Sequence, residues 1–181
     1  MKDNGPWKVK GSEIKYKNKW LEVREDDIVQ PDGKDGVYGV VTMMPGVSVL
    51  PLDDEGNVHL VDEFKYAVGR YTIATVSGGI EHDDALLTGK QELKEELGIE
   101  AREWIDLGTV DPFTSAINSP VNLYLARGLT FGETDHEGVE VIRPVKLSFE
   151  EAVKMAMEST ITHSPSAALI LKAARFLKNE G

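Results

Sequence analysis

Glu92, Glu95 and Glu96 stand at i, i+3 and i+4 in the segment SGGIEHDDALLTGKQELKEELGI, residues 77–99, whose apolar positions recur at a helical period. On a helix the three carboxylates fall within an arc of about 100°, beside a Leu86/Leu93/Leu97 stripe that must face a core. Like charges so placed cost an isolated helix about a few tenths of a kcal/mol per pair. A hard divalent cation relieves that repulsion, because Mg²⁺ prefers carboxylate oxygens and fills the rest of its shell with water. Taken alone, three glutamates on a helix read as a solvated acidic face. Here, however, the β-branched run TIATVS leads straight into Gly78-Gly79, and a glycine loop lets backbone atoms approach the same carboxylates.

The elements that must position this helix are legible from pattern and turn chemistry. Residues 7–29 read as β, with Trp20 and Glu22 alternating against Leu21 and Val23, and they end in the turn Pro31-Asp32-Gly33. GVYGVVTMM and GVSVLPL follow as apolar, buried strands. Asp53 to Asn57 forms a hairpin turn, and VHLVDEFKY is the return strand. The helical pattern runs from Asp83 to Leu97, with Gly98 as its C-terminal stop. Strands are expected around EWIDLGTV, VNLYLARGL and VEVIRPVKL, separated by polar loops at 111–120 and 132–138. Ser148 and Glu151 make a capping box for the helix FEEAVKMAME, and Ser164-Pro165 opens an Ala/Leu-rich final helix. Hairpins before the first helix, and strands and helices interleaved irregularly, imply an α/β mixed sheet covered by helices on both sides.

Composition narrows the chemistry. The chain has 181 residues with 41% hydrophobic side chains, enough for one domain with a core, or one domain with a small extension. It has no cysteine, which removes disulfide and thiolate chemistry and suits a reducing cytoplasm. Its net charge of −11 repels nucleic acid and anionic membrane, and no apolar run reaches the length of a membrane span. A phosphorylated substrate is compatible with such a field when divalent cations lie between the two sets of negative charge.

The order strand, glycine loop, helix and Gln-Glu-Leu-x-Glu-Glu-x-Gly-Ile resembles the Nudix box. The family pattern is Gly, five residues, Glu, seven residues, then Arg-Glu-aliphatic-x-Glu-Glu-x-Gly-aliphatic. Glu92, Leu93, Glu95, Glu96, Gly98 and Ile99 match its second half at every position but the arginine, and Gly78 matches its opening glycine. Asp83 stands where the family has Glu, in a loop one residue shorter. Gln91 replaces the arginine and offers a hydrogen bond but no ion pair.

The likeness extends over most of the chain, to the ADP-ribose pyrophosphatase and nucleoside-diphosphate-sugar hydrolase branch. Glu63-Phe64-Lys65-Tyr66-Ala67 and Val76-Ser77-Gly78 resemble its Gln-Tyr-Arg-like triplet followed by Ala and its Pro-Ala-Gly loop, with Ala74 where the branch carries an acidic residue. The resemblance implies a Nudix-type α/β/α sandwich over residues 41–181, preceded by an antiparallel β segment over 1–40 that pairs with a second subunit in a homodimer. It implies metal binding by Glu92, Glu95, Glu96 and the Ser77 carbonyl, with Mg²⁺ as the cofactor and Mn²⁺ as a substitute. Lys65 would contact substrate phosphate as a point charge, and Gly78 would line the substrate site.

A carboxylate on the loop before the late strand would take a proton from water: Glu137 first, then Glu140, then Asp135. His136 and His163 are read as bystanders, since Mg²⁺ does not seek imidazole. Trp7, Tyr16 and Trp20 are read as packing for the N-terminal sheet. The implied reaction is hydrolysis of the pyrophosphate of ADP-ribose or a related nucleoside diphosphate sugar. The alternative is a weakened Nudix domain that binds or senses such a ligand without turnover.

Overall fold

The computed structural model describes residues 1–81, 84–134 and 141–180. It divides into two compact units, Met1–Pro45 with Asp111–Ser119, and Gly46–Val110 with Pro120–Gly181.

The first unit is a five-stranded sheet in the order β1-β2-β3-β4-β10. β1 (Lys2–Asn4), β2 (Trp7–Lys17), β3 (Leu21–Val29) and β4 (Asp35–Met43) form an antiparallel meander, and β10 (Ile117–Asn118) runs parallel to β4 beside Val41 and Thr42. The turns are local chemistry. Asn18 Oδ1 accepts the Trp20 and Leu21 N–H groups, and Asp32 Oδ1 accepts that of Lys34 next to Gly33, whose φ of 86° favours glycine. Among the described residues of this unit only Asp26 and Ile28 are buried. β4 was expected to be a buried strand, and here the structure differs: Val37 is 60% and Met43 40% exposed. An apolar run of four to eight residues gives no information about whether anything packs on it. The polar stretch after Asp111 also differs from a plain loop, because Ile117 and Asn118 pair with β4 and the Tyr38 hydroxyl donates to the Ser115 carbonyl.

The second unit holds β5 (Gly46–Pro51), β6 (Asn57–Lys65), β7 (Arg70–Ala74), β8 (Val76–Gly79), β9 (Ile99–Val110), β11 (Val121–Phe131) and β12 (Arg143–Ser148). Three helices accompany them, α1 (Ala85–Leu97), α2 (Phe149–Met157) and α3 (Ser164–Glu180). The four-stranded sheet β8-β5-β11-β9 is mixed: β5 pairs parallel with β11 and antiparallel with β8. A second, antiparallel sheet runs β12-β6-β7.

Alternation along the strands divides the core. Val47, Val49, Val76 and Ala126 join Leu93 of α1, while Leu50, Leu123 and Leu125 join Leu169, Ile170 and Ala173 of α3 and Ala152 of α2. Helices therefore cover both faces, as the interleaved pattern implied. TIATVS, read as one strand, is two: it ends β7 at Ala74, crosses at Thr75, and enters a different sheet as β8.

Candidate active site

The capped helix α1 sets the positions of the glutamates. Asp84 Oδ1 accepts the Leu87 N–H at 2.9 Å, satisfying one of the donors left over at a helix start. At the other end Gly98, φ 64°, donates its N–H to the Leu93 and Lys94 carbonyls. A Cβ there would lie 2.6 Å from the Gly132 carbonyl oxygen, so glycine is needed both for the turn and for the close approach of the segment after β11. Leu93 is fully buried, and Gly89 sits against the Val47 and Val49 side chains of β5, which holds α1 flat on the sheet.

This packing gives the three carboxylates unequal surroundings. Glu95 is exposed, Glu92 half-buried, and Glu96 is buried at 7% exposure on the side of the helix that carries Leu93. β8 brings Gly78 onto Glu92: a Cβ built on Gly78 would lie 1.9 Å from Glu92 Oε1 and 2.1 Å from its carboxyl carbon. The absence of a side chain at position 78 is therefore what lets the Glu92 carboxylate reach the backbone of the strand. Ser77, the preceding residue, is paired with Ser48 of β5. Gly78, Ser77 and the Glu92/Glu96 flank thus form one corner, built by two backbone strands and one helix.

Among the described residues, no three His, Cys, Asp or Glu side chains close around a point as a ready-made metal cage. The donor set nonetheless fits Mg²⁺, which is commonly held by one or two carboxylates and completes its octahedron with water and substrate phosphate. A half-buried and a buried carboxylate beside a backbone that no Cβ obstructs supply such a half-shell. Asp83, Asp135, His136, Glu137 and Glu140 lie outside the described residues.

Lys65 ends β6 on the antiparallel sheet, where its ammonium pairs with Glu63. Gln91 is exposed on α1 and lines a groove between that helix and β9 with Lys90, Lys94 and Trp104. Of the aromatics, Trp7 meets Tyr38 edge-on at 5.8 Å and lines a cavity of about 250 Å³ in the first unit together with Asp26 and Ile28. Bidentate hydrogen bonds from Arg24 hold the Asp26 carboxyl below the ordinary carboxylate range, against the opposing effect of burial. Trp20, by contrast, is 63% exposed, which removes it from sheet packing. The sequence reading missed what Gly89 does, because a helical glycine at a packing contact has no local signature.

Comparison with known proteins follows the same line. Residues 7–41 match the model of the nucleoside diphosphate sugar hydrolase N-terminal domain. The chain is 29% identical over 123 residues to an ADP-ribose pyrophosphatase of Mycobacterium tuberculosis, a match that covers 65% of this chain and 58% of that protein. It is 25% identical to a methanol dehydrogenase activator of Bacillus methanolicus, with 82% of each chain covered. It is 23% identical to an ADP-ribose pyrophosphatase of Bacillus subtilis, with 84% of each covered. A crystal structure of an ADP compounds hydrolase superposes with a TM-score of 0.84 at 18% identity, over 100% of this chain and 99% of the other, and so shares its fold. Fold and matched sequence together bear out the resemblance to the Nudix family, in its ADP-ribose pyrophosphatase and nucleoside-diphosphate-sugar hydrolase branch.

Proposed function

We propose that this chain hydrolyses the pyrophosphate of ADP-ribose or a related nucleoside diphosphate sugar, giving a nucleoside monophosphate and a sugar phosphate. The observation that carries the reading is the Gly78–Glu92 contact beside buried Glu96. A carboxylate set against a strand backbone that no Cβ obstructs supports a site for a cation and a phosphate. The names of the similar pyrophosphatases and of the structural neighbour supply the substrate class.

In this reading Glu92, Glu95, Glu96 and the Ser77 carbonyl hold Mg²⁺, or Mn²⁺ in its place. A bound divalent ion neutralises pyrophosphate charge and lowers the pKa of water. Lys65 leaves Glu63 for a substrate phosphate, exchanging one ion pair for another. Glu137, or failing it Glu140, accepts the proton of the attacking water as one P–O bond forms and the bridging P–O bond breaks. The apolar side chains exposed on the first unit, Ile14, Tyr16, Trp20 and Val37, support a homodimer through residues 1–40. Zero cysteine supports a cytoplasmic setting. No helix among the described residues is long and apolar enough to cross a membrane.

A second reading, a nucleotide-sugar binding or sensing module, is favoured by Gln91, which stands where the box has its arginine and lines the α1–β9 groove with Lys90, Lys94 and Trp104. One experiment separates the two: phosphate release, with a coupling phosphatase, from a nucleotide-sugar panel with Mg²⁺, for wild type and Glu96→Gln. Metal-dependent turnover that drops about a hundredfold or more in the variant is expected, the scale at which a misplaced catalytic group is felt. Ligand-induced thermal stabilisation with no turnover on any substrate would make the chain a binding module.

A further inference from the structure

Thr75 is the joint where the chain leaves the β6–β7 hairpin and enters β8, and it is held from two sides. Its Oγ1 shares a hydrogen bond of 2.6 Å with Ser48 Oγ of β5 and one of 2.8 Å with Ser166 Oγ of α3. Its N–H donates to the same Ser166 oxygen at 3.0 Å, and Ser166 Oγ shares a 2.8 Å hydrogen bond with His163 Nδ1. Ser48, Thr75 and Ser166 are fully buried. Burial lowers the His163 pKa, and the charge of Lys65 lowers it further, so the ring is neutral near pH 7.

With a bare Nδ1 every hydroxyl proton points from Ser48 towards the imidazole and each meets an acceptor within the chain. Three hydroxyls buried beside two apolar clusters are a costly way to fill space that valine and alanine would fill well, because each must keep a partner. What the hydroxyls add is direction: they fix Thr75 relative to both a strand and a helix.

We propose that the Ser48–Thr75–Ser166–His163 chain positions the entry to the glutamate corner. By anchoring Thr75 to β5 and α3 it sets where the Ser77 carbonyl and Gly78 come to rest against Glu92, two and three residues further on. Ser48, Thr75 and Ser166 are fully buried and act as positioning residues, with His163 as the end of the chain that holds them. The inference rests on the proposed function for its catalytic consequence, but its structural half stands without it.

The test uses Thr75→Val, which keeps the shape and removes the hydroxyl, with Ser166→Ala as a second break and Thr75→Ser as the conservative variant. Amide hydrogen exchange is followed in the metal-free protein, and kcat and KM are measured with Mg²⁺ and ADP-ribose. The expected result is exchange at residues 76–80 about tenfold faster in Thr75→Val and Ser166→Ala, with the α1 amides unchanged. kcat should fall about tenfold while KM moves less than twofold, and Thr75→Ser should restore both. Unchanged exchange at 76–80, an increase spread evenly over the second unit, faster local exchange with unaltered kcat, or failure of Thr75→Ser to rescue would overturn the proposal. If wild type hydrolyses no nucleotide sugar, the functional reading fails by itself and the exchange measurement still decides the positioning claim.

Discussion

Strands of nine to eleven residues make up most of the first unit, yet it buries only Asp26 and Ile28, and its side chains meet as ion pairs such as Lys10–Asp35 and Lys17–Glu22. The second unit has two apolar clusters, one under α1 and one under α2 and α3, and it carries its box carboxylates at the margin of the first of these. Exposed ion pairs contribute about 0–1 kcal/mol each, whereas a fully buried leucine contributes about 1.5–3 kcal/mol by transfer alone. The difference teaches where precision comes from. A carboxylate held against a glycine must not drift, and only a close-packed core under its own helix resists that motion.

The largest effect expected is at the corner itself. Gly78→Ala places a Cβ where the Glu92 carboxylate lies, so pyrophosphatase activity should fall by about two orders of magnitude or more while the far-UV spectrum is kept. Activity at the wild-type level would detach Glu92 from the site. Next is the contrast in packing: Leu93→Ala should lose about 2–5 kcal/mol in urea unfolding, and Ile14→Ser, on the exposed face of the first unit, within about 0.5 kcal/mol. Equal losses would erase the distinction between the units.

Acid unfolding sharpens the comparison further, because each unit has a well-satisfied aspartate, buried Asp26 in the first and half-buried Asp53 in the second. Arg24 holds the Asp26 carboxyl down against burial. For Asp53 burial pushes upward, and hydrogen bonds from the Asn57 backbone, Lys146, His59 and the Asn57 amide outweigh it, leaving the group well below the carboxylate range. Both folded pKa values lie below the unfolded value of about 3.9. The stability they provide is therefore present above that value and is lost as pH falls through the folded one. Asp26→Asn and Asp53→Asn should each flatten the loss of stability below about pH 5 and lower stability at neutral pH. An unchanged acid limb in both would show that other carboxylates govern it. A smaller loss than that of Leu93→Ala is expected for Ser148→Ala, which removes the oxygen that accepts the Glu151 N–H and should cost about 1 kcal/mol by thermal unfolding.

Local spacing settled a good deal. The i, i+3, i+4 glutamates, the helix ending at Gly98, the Asp32-Gly33 and Asp53–Asn57 turns, the Ser148 cap and the opening of α3 at Ser164 all follow from chemistry within a few residues, and the structure has each of them. The match to the second half of the box came from the same short range, while the expectation of a mixed sheet between helices came from the order of elements along the chain.

What tertiary structure alone decided lies at longer range. Burial separates Glu96 from Glu95, although they are neighbours in sequence, because only the packed side of α1 faces the sheet. TIATVS splits at Thr75 because the residues on its two sides pair with different strands, β6 before it and β5 after it. β4 remains exposed and residues 117–118 join its edge, since an apolar strand does not encode its own cover. Sequence pattern records the period of a residue's own element; which surface meets that element is fixed by contacts across tens of residues, and those form only when the whole chain packs.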